Sequence, residues 1–306
     1  MSTANTEWAW PWWQAMVIVN MLNLSLCAFV FQRSLETEDG RHVSYGRWMR
    51  IMGVIFTVVA AYRSVFVSRY FTQMAWFDSI ANSSLLIRLL AMTAELSFAG
   101  LIAFAMLKLN EDFPEEDRGD VSRFWLFLST KSPYLMLLSI FLAQFFATGG
   151  LIFKSKTLFA IEETLWSLGF LSVLPLAIMQ YRRVMAVTNP GTRIRLRLLR
   201  KFVKLNLAWG VIYCSYGLFY HLPLENWPSA IDQIRTGLPA LKTGWQAGVD
   251  AFRIVHESKV YSDWGFGFLL WHSAYFSICV WIAIFLMQAP RMLPVAEEDQ
   301  ALGSNN

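Results

Sequence analysis

The sequence predicts an all-α fold, a polytopic integral membrane helical bundle of about seven transmembrane helices, and three observations carry that reading. Seven mostly apolar stretches run the length of the 306-residue chain. Each is near the roughly 20 residues that cross a hydrocarbon core of about 30 Å as a helix. Hydrophobic residues make up 56% of the chain and charged residues 16%, where a soluble domain carries about 25% charge. The ionisable residues inside the apolar stretches also fall mostly at similar depth. Within lipid each backbone polar group must pair inside its own segment, so helices are the natural form of these runs.

The spans read as 10–31, 51–70, 84–107, 132–153, 158–181, 203–221 and 264–288. At the first, Trp8, Trp10, Trp12 and Trp13 resemble an aromatic belt at the lipid–water boundary. The eight opening residues carry no Lys or Arg, which argues against a cleavable signal peptide. The second span is the weakest, because its uninterrupted apolar part ends at Tyr62 with Arg63 beyond; a re-entrant or interfacial helix is the competing reading. Residues 1–292 form one membrane domain on this view, and 293–306 a disordered cytoplasmic tail. Cys27, Cys214 and Cys279 all lie within spans and read as packing residues, without metal-ligand spacing.

Charge sets orientation. The loops after spans one, three and five hold Arg33, Arg41, Arg47 and Arg50, then Lys108, Arg118, Arg123 and Lys131, then a basic run from Arg182 to Lys204. The positive-inside bias therefore places the N-terminus outside and the C-terminus in the cytoplasm. Within the basic run, Arg193, Arg197, Arg200, Lys201 and Lys204 are candidates to meet anionic lipid headgroups, at about 1 kcal/mol per residue near the surface. The competing reading is a topology signal alone. Nucleic acid is not an expected partner, since no binding module or aromatic interleaving accompanies the charge. Between spans three and four, Glu111, Asp112, Glu115, Glu116, Asp117 and Asp120 read as a solvated connection. Short outer loops and few cysteines point to a bacterial inner membrane.

Placing residues at 1.5 Å each compares the buried charges by depth. Arg63 falls in the outer half of span two, Arg88 about 6 Å from the outer boundary of span three, and Glu95 nearer the middle. Gln144 lies in the outer half of span four, Glu162 and Glu163 about one turn into span five, and His272 about 12 Å down span seven. Such residues are costly in lipid and face an interior or an aqueous cavity. An outward-facing pocket or a buried ion-pair network follows, with Asp78, Trp166, His221, Trp271 and Tyr275 at its periphery. Tyr62, Trp76, Phe77, Tyr213, Tyr216 and Tyr220 surround the same zone. Arg88 and Glu95 share a helix face but stand about 10 Å apart, too far for a direct bond by backbone spacing. Arg63 is then the expected partner of Glu95 or of Glu162 or Glu163. Of those last two, neighbours about 100° apart on a helix, one is expected to face inward.

The last outer segment, 222–263, is too long for a plain connector. Pro228-Ser229 is placed to start a short helix, and Leu241, Trp245, Val249 and Phe252 recur at helical spacing, as in an amphipathic helix lying over the pocket or anchored at the membrane surface. Asn82-Ser83-Ser84 fits a glycosylation sequon close to span three.

The site restricts the chemistry. A retinal protein needs a lysine deep in a span, and span seven has none. His221 and His272 differ in depth, which disfavours bis-histidine haem, and no His-x-x-x-His or Glu-x-x-His spacing supports a metal. The sequence names no cofactor. Two classes remain beside a scaffold whose charges are structural ion pairs. One is a sensor, carrier or receptor-like subunit binding a small or lipid-like ligand, with Arg63 and Arg88 on an anionic group. The other is a membrane enzyme acting on a lipid, with Glu95, Glu162 or Glu163 as acid–base group and His272 as proton shuttle.

Overall fold

The computed structural model describes residues 9–36, 42–112, 123–187, 196–237 and 244–292. Seven of its helices are long and apolar enough to cross a membrane, as a multi-pass membrane protein requires. These are α1 (Ala9–Glu36), α2 (Val43–Val65), α3 (Ser84–Asp112), α4 (Arg123–Ile152), α5 (Lys156–Ala186), α6 (Arg197–Thr236) and, after two short helices, α9 (Phe266–Leu286). The short ones are α7 (Gly244–Arg253) and α8 (Tyr261–Trp264). The tail 293–306 and the basic Arg193 lie outside the described residues.

Helix α2 resolves the doubt over the second span. It begins eight residues ahead of the apolar run, at Val43, and its 23 residues suffice to cross. It ends at Val65, short of the expected residue 70. Beyond it the chain turns into a compact loop in which β1 (Ser68–Arg69) pairs antiparallel with β2 (Met74–Ala75). A third strand, β3 (His256–Glu257), joins β2 in parallel and ties this loop to the last long connection. Asn82 belongs to the same loop. It is fully buried, accepts from Phe77 N and donates to Val67 O, so the sequon is a structural asparagine.

The tryptophans in the first turns of α1 are partly covered by the loop after α2 and by α9. Trp10, Trp13 and Trp76 stack, Trp12 Nε1 donates to Ser273 Oγ and Trp13 Nε1 to Val65 O. The Trp12 and Trp13 indole N–H groups thus find protein partners at this end of the bundle; Trp8 lies outside the described residues.

Helix α6 runs on past His221, where the sequence reading ends the sixth span, and it absorbs the short helix expected at Pro228. The reason is a π-helical stretch, Gly217–Asn226, that contains Pro223. Proline removes a donor and crowds the carbonyl one turn back, and the wider π turn relieves both without ending the helix. A second π stretch, Tyr275–Cys279, lies in α9. There Phe276 O accepts from Asn23 Nδ2 of α1, and Asn23 Oδ1 accepts from Trp281 Nε1.

Consecutive spanning helices pack side by side from α1 to α6, and α9 closes against α2 and α1. Gly53 permits that closure, since a Cβ there would collide with the Met287 side chain. Helix α6, by contrast, lies along α5 and meets α9 extensively only beyond its end, at Ala289–Met292. Helix α7 sits on α3 and α4 through the buried Ala247 and Ala251, while Trp245 is 87% exposed. The apolar stripe Trp245, Val249 and Phe252 is therefore not the face that docks: small side chains let the backbone approach, and Gln73 Nε2 donates to Asp250 O. Leu241 lies outside the described residues.

Candidate functional site

Five helices and the β1–β2 loop enclose a partly open cavity of about 250 Å³. Helix α2 supplies Phe56 and Arg63, seven residues apart and so on one face. Helix α3 supplies Arg88, Glu95 and Phe98; α5 supplies Phe159, Glu162, Glu163, Trp166 and Phe170; α6 supplies Trp209 and Tyr213. Helix α9 adds Phe268, Trp271, His272, Tyr275 and Cys279, and the loop adds Ser68 and Tyr70. The spans' ionisable residues thus meet as expected, in a wall that is otherwise largely aromatic.

Arg88 and Glu95 do bond. Arg88 Nη1 and Nη2 donate to Glu95 Oε1 and Oε2 at 3.3 and 2.8 Å. Two helical turns separate the backbones, but side chains lean toward the helix N-terminus, so Glu95 reaches back while the long arginine extends to meet it. Arg88 Nη2 also donates to Gln144 Oε1, and Glu162 Oε1 lies 3.8 Å from Nη1. Gln144 stands behind the arginine, fully buried, with its Nε2 donating to Ile140 O.

Arg63 is held otherwise. Its Nη2 donates to Tyr70 Oη at 3.0 Å and its guanidinium lies over the Tyr275 ring, 4.6 Å from the centroid. The side chain is 6% exposed, Nη1 has no hydrogen-bond partner, and no ion pair forms with Glu95, Glu162 or Glu163. The expected Arg63–carboxylate pairing is therefore absent among the described residues: Glu95 is taken by Arg88, and Tyr70 and Tyr275 occupy the space around the guanidinium. Burial pushes the Tyr70 hydroxyl above its ordinary value, which keeps the phenol neutral. Having accepted from Arg63, that hydroxyl retains its own proton to donate.

Glu162 and Glu163 both line the cavity, where one was expected, because the cavity is wide enough to border two adjacent positions of α5. Glu162 faces Arg88, whereas Glu163 Oε2 lies 3.7 Å from His221 Nδ1. His221 itself is not in the lining: it stacks on Tyr216 and also approaches Glu225 Oε2 at 3.5 Å. Asp78 is likewise absent from the lining. Its backbone N–H donates to Glu257 Oε2 in the strand-bearing loop, away from the arginines. His272 Nδ1 lies 3.0 Å from Phe268 O, so in the neutral ring Nδ1–H donates to that carbonyl and Nε2 is the acceptor. The ring also stacks on Phe268.

Of the aromatic residues expected nearby, Trp166, Tyr213, Trp271 and Tyr275 line the cavity, whereas Tyr62, Trp76, Phe77, Tyr216 and Tyr220 do not. No residue of 222–263 lines it either, so α7 rests beside the site on α3 and α4. Among the described residues no group of three or more His, Cys, Asp or Glu side chains stands as a metal site. At the C-terminal end of α5, Arg200 donates to the carbonyls of Val184, Met185 and Val187 and so caps the helix. Arg197, Lys201 and Lys204 remain exposed.

Chemically, the cavity joins one ion pair with its Arg88 Nε unpartnered, one guanidinium without a paired carboxylate and with Nη1 free, and two further carboxylates, in aromatic surroundings. Comparison with protein-family models, with curated proteins and with solved structures finds no match.

Proposed function

We propose that the protein is a multi-pass cell-membrane protein whose cavity binds a small or lipid-like ligand through an anionic group. It then works as a sensor, carrier or receptor-like subunit. The N-terminus lies outside and the C-terminus in the cytoplasm, as the basic residues of the loops after α1, α3 and α5 favour. The cavity faces outward, and a bacterial inner membrane is the expected location. Anionic lipid headgroups meet Arg197, Lys201 and Lys204 on the opposite side, since Arg200 is committed to the α5 carbonyls.

One observation carries the ligand reading. Arg63 borders the cavity, is almost wholly buried, and leaves Nη1 unpartnered. A guanidinium withdrawn from water keeps its charge and is costly until its donors are met. A carboxylate or phosphate arriving in the cavity would complete it, with Tyr70 O–H as a second donor and the aromatic wall around the ligand's body.

Native mass spectrometry of the detergent-purified chain tests this reading against its 35.2 kDa mass. A reproducible adduct that is lost in Arg63→Ala supports it. A bare chain, together with an Arg63→Ala variant that loses only thermal stability, overturns it in favour of a scaffold. One feature favours a lipid-acting enzyme as the second reading: Glu162 borders the cavity and makes no hydrogen bond among the described residues, leaving it open to act as a base. Under that reading Glu162→Gln keeps substrate binding and loses turnover.

A further inference from the structure

The wall of the cavity between α6 and α9 is thin. Helix α6 is drawn against α5, where a Cβ on Gly217 would collide with Ser167 Oγ, and it makes little contact with α9 at this level. Two rings bridge the gap, Tyr213 and Trp271, with centroids 6.5 Å apart. Trp271 lines the cavity and is nevertheless 43% exposed, beside Leu270 at 57%. At that point the cavity wall is also the outer surface of the bundle. Both π stretches flank the gap, one on each helix.

Two further features give the gap a direction. Toward the loop end the cavity is covered by Ser68 and Tyr70 of the β1–β2 loop, itself fastened by β3 and by Arg69 Nη1 donating to Asp263 O. Away from that end, Trp209 belongs both to the cavity and to a narrow crevice between α3, α6 and α9. That crevice is walled by Ile102, Phe202, Leu205, Asn206, Ile282 and Leu286. With about 10 Å³ it has room for about one water, so the cavity ends at Trp209 and its way to lipid is the gap.

We propose that the cavity fills sideways from the bilayer: an anionic amphiphile parts Tyr213 and Trp271, sets its headgroup on Arg63 and Tyr70, and leaves its alkyl chain in the gap, running out past Leu270 into lipid. This rests on the anion-binding reading above and narrows its ligand to a membrane-dissolved one. A water-soluble anion carries no chain for the gap and meets the Ser68–Tyr70 cover first. The amphiphile's head is a carboxylate or a phosphate, each able to take the Arg63 Nη1 donor.

The test uses the full chain in phosphatidylcholine nanodiscs with isotope-labelled oleate in the bilayer, followed by native mass spectrometry. One retained oleate per chain is expected. Its apparent affinity falls about 30-fold in Arg63→Ala and by less in Tyr70→Phe, a variant that leaves the fold alone. Trp271→Ala, which thins the gate, speeds exchange of labelled for unlabelled oleate about tenfold. Inorganic phosphate or acetate in the buffer leaves the oleate in place.

A retained anion that buffer phosphate displaces, with exchange indifferent to Trp271→Ala, would falsify the sideways route and leave the Arg63 site standing. No oleate retained at any mole fraction overturns the lipid assignment as well. The adduct experiment on the purified chain then judges the anion site by itself.

Discussion

Arg63 and Arg88 are two buried arginines on neighbouring helices, bordering one cavity, and they are held in opposite ways. Arg88 spends its fork on Glu95 of its own helix and on Gln144 of α4, with Glu162 close by. Arg63 has a phenol, a ring face and a vacant N–H. The first arrangement supplies its own counter-ion and holds α3 to α4, with only Arg88 Nε left unpartnered. The second is complete only with something more. Burial of charge is therefore not in itself a sign of function; what separates the two is whether the protein supplies the counter-ion.

The largest expected effect breaks the paired side. Glu95→Gln leaves Arg88 with only the more distant Glu162 carboxylate, 3.8 Å from Nη1, and lowers stability by about 3 kcal/mol, the low end for a broken buried pair. Replacing both partners, Arg88→Met with Glu95→Met, is close to neutral, because the desolvation of the two charges goes with them. Thermal unfolding of the ligand-free chain reads both. Arg63→Met, in contrast, changes ligand-free stability by no more than about 1 kcal/mol, since the protein invests no ion pair in it. An Arg63→Met loss as large as that of Glu95→Gln would erase the distinction and make both arginines structural.

Ligand affinity reverses that order. Arg63→Ala costs about 2 kcal/mol of binding, the scale of a charge-assisted hydrogen bond. Tyr70→Phe, which removes one neutral donor, costs about 1 kcal/mol. Both are read as shifts in adduct occupancy against ligand concentration. If Tyr70→Phe outweighs Arg63→Ala, the phenol and not the guanidinium is the anchor.

Much of this comparison is legible in the sequence, and the remainder fails for identifiable reasons. Charges interrupting apolar runs are conspicuous, and helical rise places them at common depth; hence Arg63, Arg88, Glu95, Glu162, Glu163 and His272 gather as expected. Periodicity also offered a signal that went unused: Phe56 lies seven residues before Arg63, Phe170 seven after Glu163, and Trp209 four before Tyr213. Pairing is harder to read, because backbone spacing ignores side-chain reach and sets Arg88 and Glu95 apart although their side chains bond. Tyr70 was out of sight for another reason. Its loop reads as the end of span two, and its strands are only two residues long, too short for any alternating pattern. The π turns have no sequence signature beyond Pro223, so the continuity of α6 and the gap beside it emerge only in three dimensions.

The smallest expected effect sharpens the comparison from outside the spans. Lys154, in the turn between α4 and α5, is, like Arg63, a cation held without a carboxylate: its Nζ donates to Phe71 O at 3.0 Å. Burial brings its amine down from 10.5 to about 8, the direction expected when the charged form loses water. The folded chain therefore releases this proton near pH 8 while the unfolded chain keeps it until about 10.5. Across that window the unfolded state binds more protons, so stability rises with pH; below about 8 the full penalty for the buried charge is present. The amine is only half-buried, so the slope is shallow. Lys154→Gln keeps a donor for Phe71 O and removes the titration. Thermal midpoints between pH 8 and 10 should rise less steeply in that variant than in the parent, and equal slopes would remove Lys154 from the argument. A lysine in such a place answers burial by giving up its proton. Arginine has no such recourse, which is why Arg63, similarly short of a counter-ion, is the position that calls for an anion from elsewhere.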